Sequence, residues 1–261
     1  MIQMATRSLD AVGPFPARLF DDFSLETSAV AVGELAAVSG LIAPGTRIAI
    51  PFLDGDDLPG LISAARAVRD LGFRPVPHLA ARRIESAGTL TALRGVTDEI
   101  FLVGGDPAVA LGPFADGAAL LRSGLLAEHG VRHVGLPGYP GGHPVIEERR
   151  LWADLAGKAA VLRDQGLTGH VTTQFAEPGQ TLAWIGQARA RGIDLPVRIG
   201  VPGPAGVPRG LSARLGNTEP DAASWATHLG TLGGGHAELK FHISPFGALP
   251  ETVAWIARAA R

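Results

Sequence analysis

Glu26 stands near the end of DDFSLETS and Asp106 is next to last in FLVGGDP, so each carboxylate sits where a strand-like run gives way to a turn. Two carboxylates brought into one cavity can hold their pKa values apart, leaving one carboxyl available as a proton donor. Gly104 and Gly105 leave room for a flat ligand next to Asp106. Other chemistry-bearing groups occupy similar places: His78 with Arg82 in RPVPHLAAR, Tyr139 with His143 in GYPGGHP, Gln174 in HVTTQFA, and Lys240 with His242 in ELKFHISPF. Gln174 offers the donor and acceptor edges that a flat heterocycle needs. The glycine-rich GYPGGHP can wrap a phosphate or ribose while Tyr139 packs on a ring. Each has a plainer reading. Asp106 alone reads first as an Asp-Pro turn, Glu26 as an interior residue paired with a lysine such as Lys240, and Gln174 as an amide capping a strand end.

For these groups to meet, the runs that carry them must open on one mouth. Strand signals fall at Asp21–Ser28, Arg47–Leu53, Arg74–Arg82, Glu99–Gly105, Arg132–Tyr139, His170–Ala176, Pro196–Gly203 and Glu238–Phe246. Helix signals follow each in turn, at Ala29–Val38, Leu61–Leu71, Ile84–Leu93, Asp116–His129, Glu147–Gln165, Thr181–Arg191, Asp221–Leu232 and Glu251–Ala260. Regular alternation at this length is the pattern of an α/β fold of the (β/α)8 TIM barrel type, whose strand ends converge at one face. A doubly wound sheet is the alternative, but no strand is followed by GxGxxG. Residues 1–261 read as a single barrel domain with residues 1–20 as an irregular lead, and Gly233–Gly235 as a turn on the face away from the mouth.

Composition narrows the function classes. Lys+Arg 23 against Asp+Glu 25, with no basic run, argues against a nucleic-acid partner. No apolar run approaches the roughly 20 residues of a membrane helix, and Pro14 and Pro16 interrupt any signal-peptide core. The expected location is the cytoplasm. Cys 0 removes disulfides, thiolate nucleophiles and thiolate metal sites. The eight histidines lack HExxH spacing, so no metal site is expected from neighbouring ligands.

Taken in order, the motifs resemble the methylenetetrahydrofolate reductase family. SLETS with Glu26 resembles that family's SFEFFPP, HLAAR with His78 its HLTC, and VGGD with Asp106 its LRGD. GYPGGHP resembles AYPExHPE, TQFAE resembles TQxFF, VPGPA resembles a PGI-like turn, and KFHISPF loosely echoes HFYTLN. The resemblance runs over nearly the whole chain from Asp22. It implies a flavoprotein that interconverts 5,10-methylenetetrahydrofolate and 5-methyltetrahydrofolate, with hydride passing from NAD(P)H through FAD, in methionine biosynthesis or methyl-group catabolism. Glu26 would protonate the folate nitrogen as the imidazolidine ring opens, Asp106 would bind the pterin and tune the flavin, and Gln174 would bind folate. FAD contacts would fall on His78, Gly105, Asp106, Phe114, Ala115, Tyr139, His143 and Asp154, with Lys158 or Arg163 as the basic residue of the fifth helix. The family's LRGD arginine is Gly104 here, and Thr27, Ser28 and Ala29 replace the residues after its first glutamate. These departures leave open a folate-binding barrel methyltransferase that serves a protein-bound corrinoid without flavin, or a non-catalytic barrel. The expected partners are a one-carbon derivative of tetrahydrofolate, NAD(P)H, and further copies of the chain.

Overall fold

The structure is a computed structural model that describes residues 20–207 and 239–259. Eight parallel strands close a barrel in sequence order, β1 Ser24–Glu26, β2 Arg47–Ile50, β3 Arg74–Ala80, β4 Glu99–Val103, β5 His133–Gly138, β6 Thr168–Thr173, β7 Val197–Pro202 and β8 Lys240–Ser244. Helices lie outside it: α1 Val32–Val38, α2 Leu58–Asp70, α3 Gly117–Arg122, α4 Leu125–Glu128, α5 Glu148–Asp164, α6 Pro178–Ala190 and α7 Leu249–Ala259. This is the (β/α)8 TIM barrel that the alternation implies. The seventh expected helix, the Gly233–Gly235 turn and the N-terminal lead up to residue 19 lie outside the described residues.

Side chains alternate along each strand, and the two faces are chemically different. Leu25, Ile48, Ile50, Leu79, Ile100, Leu102, Val134, Leu136, Ile199, Phe241 and Ile243 are fully or almost fully buried in the hydrophobic core. Their alternates, among them Ser24, Glu26, Arg47, His78, Glu99, His170, Arg198 and His242, line a central cavity instead. The apolar core therefore sits between sheet and helices, and the barrel lumen is polar where such lumens more often hold branched aliphatics.

The helices form where caps and buried stripes coincide. Asp57 accepts from Gly60 N at 2.7 Å to start α2, which buries Leu61, Ile62, Ala65 and Val68. On α5 the buried stripe is Trp152, Leu155, Lys158 and Leu162, so a lysine occupies a core-facing position.

Two helix expectations are corrected. Ile84–Leu93 is no α-helix: a 3-10 turn at Ala81–Arg83 precedes it, residues 84–86 are extended or irregular, and a 3-10 helix follows over Ala87–Leu93. Gly88, Thr89 and Thr91 are weak helix formers, and Thr89 Oγ1 donates locally to Ser86 O at 2.6 Å. The run Asp116–His129 is split into α3 and α4 because Gly124 takes φ +77, a left-handed value that ends the first helix. The strands are also shorter than expected, with their last residues passing into the mouth loops.

Candidate functional site

Two chambers meet at the mouth. The inner one, about 260 Å³, runs down the lumen from Tyr139, Gln174 and Phe246 past Glu26, His78 and His242 to Arg47, Glu99 and Arg198. The outer one, about 630 Å³, is a cleft over the ends of β3, β4 and β5 against α5. Val103, Pro137, Tyr139 and Gln174 line both.

Glu26 projects into the inner chamber from the end of β1. Burial alone would raise its pKa, but His242 first, and then His78 and the Ser244 hydroxyl, outweigh it and leave the carboxyl below its usual range. Its charge partner is His242, whose Nε2 lies 3.6 Å from Oε2, an ion-pair distance rather than a hydrogen bond. The other face of that imidazole, Nδ1, lies 2.8 Å from Ser24 Oγ, with both residues buried. His78 is pushed down to about 4, by burial foremost, so it is neutral near pH 7. Its ring lies 4.6 Å from that of Phe101.

Asp106 does not share this chamber. It is exposed and lines the outer cleft, because the two glycines before it carry the chain away from the lumen. The expected carboxylate pair is thus replaced by a carboxylate–imidazole pair, Glu26 with His242. Lys240 is not a mouth residue either: it opens β8 in register with Arg198, on the floor side of His242.

The outer cleft assembles most of the other expected groups. Gly105 lines it at φ +93, and an added Cβ would lie 3.1 Å from Ala80 Cβ, so only glycine follows this path without strain. Tyr139 and His143 meet edge-to-face at 5.3 Å. Burial, then Asp154, pushes the tyrosine up to about 12, so it remains a hydroxyl donor. Lys158 Nζ donates to Asp154 Oδ2 at 2.6 Å, and both residues face the cleft, whereas Arg163 is exposed and paired with Asp164 at 3.7 Å. Gln174 holds its place at the junction through its backbone N–H, which donates to Gly138 O at 2.8 Å. His78 lies in the inner chamber rather than this cleft. Phe114 is buried in the core and lines neither chamber, while Ala115 contributes its carbonyl, which accepts from Arg82 Nε at 2.7 Å.

Several groups escaped the sequence reading. Arg83 and Arg150 join the expected Arg82 and Lys158 in making the cleft basic, so the arginine absent at Gly104 is offset by cations from β3's end and α5. On the lumen floor Glu99, His133 and His170 present ligand atoms within 4.8 Å of one another. Arg47 Nε already bonds both Glu99 oxygens at 2.9 and 3.0 Å, and His133 Nε2 is bonded to His170 Nδ1 at 2.8 Å. With Arg74 3.7 Å from the same carboxylate, this reads as an ion-pair network closed by guanidinium groups rather than as a ligand set awaiting a metal. These residues come from separate strands, and the signal that could have found them is polar residues at every second position of otherwise apolar strands.

The fold resembles that of solved structures. The dihydropteroate synthase from Thermus thermophilus in complex with 6HMPPP superimposes with a TM-score of 0.54 at 14% identity, covering 97% of this chain and 93% of that one. A second structure of the enzyme from that organism gives 0.53 at 14% identity, with the same coverage. At this identity the likeness establishes the TIM-barrel architecture. No protein-family model matches the chain. No helix among the described residues is long and apolar enough to cross a membrane.

Proposed function

We propose that the chain is a folate-binding barrel enzyme of one-carbon metabolism, and specifically a flavin-dependent 5,10-methylenetetrahydrofolate reductase acting in the cytoplasm. The observation that carries this reading is the junction of the two chambers. An acid-bearing pocket and a basic cleft share Tyr139 and Gln174, which is what a reaction between a substrate and a separately bound cofactor requires.

The cleft residues fit FAD in chemical type and space. Its volume lies within the roughly 300–1,000 Å³ of ligand sites. Gly105 lets backbone approach a flat ring, Tyr139 and His143 offer aromatic surface, and Arg82, Arg150 and Lys158 suit phosphates. FAD would supply hydride chemistry. Gln174 would hold the pterin edge at the junction, and Asp106 would bias the field from the cleft side. Glu26, in the inner chamber, would place a proton on the folate nitrogen that leaves when the ring opens.

A second reading has its own support. The two similar barrels are synthases of dihydropteroate, so this architecture handles a pteroate skeleton without the flavin assignment. Combined with Gly104, that favours a folate-binding methyltransferase as the alternative. Titrating the protein with FAD and following flavin fluorescence separates the two. Saturable binding, followed by anaerobic bleaching with NADH or NADPH, supports the reductase. Binding of tetrahydrofolate with no flavin binding at high micromolar concentration supports the methyltransferase.

A further inference from the structure

The 3-10 turn at the end of β3 sets two arginines side by side, and each is tied to a different loop of the mouth. Arg82 meets the β4 loop, residues 104–115, along most of its length. Its backbone N–H donates to Gly104 O at 2.9 Å, and its carbonyl accepts from Leu111 N at 2.8 Å. Its guanidinium donates from Nε to Ala115 O at 2.7 Å and from Nη1 to Pro107 O at 3.3 Å. The same loop is pressed onto the chain just beyond, since a Cβ on Gly112 would collide with the carbonyls of Ile84 and Glu85. Arg83 turns instead to the β2 loop, residues 51–57. Its Nη1 donates to Leu53 O at 2.7 Å, its Nη2 pairs with Asp54 Oδ1, and its guanidinium lies 5.1 Å from the centre of the Phe52 ring. Both arginines line the outer cleft, where the two loops contribute Phe52 and Asp106 to the wall.

We propose that Arg82 and Arg83 form an anion subsite that braces the mouth: a pyrophosphate group seated on their remaining donors locks the β2 and β4 loops, and with them Phe52 and Asp106, against the cleft. This deepens the flavin reading and rests on it only for the identity of the anion as the pyrophosphate of a dinucleotide. Among the described residues each guanidinium spends two of its five N–H donors on a loop, which leaves three for a ligand. The acidic groups on the same wall do not cancel this charge. Asp116 is occupied as the cap of α3 and Asp154 by Lys158, while Arg150 adds a further cation. A guanidinium holds its donors in one rigid plane, so an anion seated on one edge fixes the direction of the other. Any opening of a loop that carries its arginine away also takes donors from the anion. The ligand therefore favours the closed arrangement through its differential affinity for the two states. A lysine in either place keeps the charge and loses the coupling, because one ammonium on a flexible stem cannot hold loop carbonyls and an anion in a fixed geometry.

Hydrogen exchange on the full chain, read by mass spectrometry over residues 51–57 and 104–115, tests this with inorganic pyrophosphate as the probe. At about ten times its Kd, pyrophosphate should slow exchange about tenfold in both segments of the wild type. At the same multiple of its own Kd, Arg82→Lys should cut the slowing over 104–115 to under about threefold and keep it over 51–57, and Arg83→Lys should do the reverse. Arg150→Gln, which removes a cation that holds neither loop, should weaken binding and keep both responses. Asp54→Asn, at a solvent-exposed carboxylate, serves if Arg83→Lys fails to fold: without ligand it should speed exchange over 51–57 and leave 104–115 unmoved. Failure of either wild-type segment to respond, or equal slowing in the lysine variants, overturns the brace. Loops locked by pyrophosphate in a protein that binds no FAD would sink the flavin reading and leave the brace standing. FAD binding that leaves exchange in both loops unchanged would overturn the brace and leave the flavin reading standing.

Discussion

Lys158 and Asp154 lie one turn apart on α5, joined at 2.6 Å, with the ammonium side chain 6% exposed and the carboxylate 43%. An ammonium held at a core-facing helical position keeps its stem in apolar surroundings and presents its head to the cleft. Asp154 uses one of its three donors, so an anionic ligand can take another. Lys158→Met should preserve the packing of the stem while weakening FAD or ADP binding by about 2–5 kcal/mol, as when one partner of a buried charge pair is removed. Thermal stability should change by no more than about 1 kcal/mol, because Asp154 is left facing solvent. Calorimetric titration beside a melting curve reads both, and unchanged affinity would remove Lys158 from the cofactor site.

Gly105→Ala should cost about 1–3 kcal/mol of stability, since it forces a side chain into a left-handed backbone position and against Ala80. Gly142, at φ +78 with open space around it, is the control, and its alanine variant should cost about 1 kcal/mol. Urea unfolding of the two variants measures the difference. Equal losses would mean that the Ala80 contact relaxes away.

His78 makes the protein sensitive to acid in a defined window. Its folded pKa of about 4 lies below the 6.5 of the unfolded chain, so the unfolded state binds the extra proton first. Stability is therefore fully present above pH 6.5 and falls as the pH drops toward 4, by roughly 3 kcal/mol from this residue at most. His133 and His170, both shifted down by burial, add to the same slope. Denaturant midpoints taken at intervals through this range should show the fall. His78→Gln should flatten it, and an equally steep fall in that variant would assign the slope to the other two.

Glu26→Gln should reduce the folate half-reaction by about 10²–10⁴-fold, the usual contribution of a positioned acid. Reduction of flavin by nicotinamide, which needs no proton at the folate nitrogen, should continue. Stopped-flow absorbance resolves the halves. Equal loss in both would make Glu26 a structural lumen residue.

The barrel was legible because each strand and helix signal is local, and the eightfold alternation leaves few other topologies. Glu26, Tyr139, His143 and Gln174 could be placed at the mouth for the same reason: a residue that follows an apolar run ends up at the strand's end. The partner of Glu26 was not legible, because register across the β1–β8 seam decides it and no local pattern states that register. Asp106 was misplaced by the same limit, since two glycines free the backbone to leave the strand direction. Lys158 could have been found more firmly from Trp152, Leu155 and Leu162, whose spacing puts it on the buried stripe. The break at Gly124 was hidden inside a segment otherwise rich in leucine and alanine.

The ends of the described chain are clasped. Asp22 bonds Arg198 at 2.8 Å across a separation of 176 residues, and also pairs with Arg47, while Phe20 packs edge-on against Phe241 and Trp255. Neighbouring strand pairs such as β3–β4 and β5–β6 can form early, because only a single crossover connection must close in each. The seam cannot form until nearly the whole chain has been drawn together, and that loop-closure entropy is not repaid by any contact made sooner. Asp22 and Arg198 should thus contribute little to the folding transition state and much to the barrier against unfolding. An Asp22→Asn substitution would then speed unfolding and leave the refolding rate nearly untouched. His242 lies on the same seam, so its approach to Glu26 would be among the last features of the protein to assemble and the first to loosen.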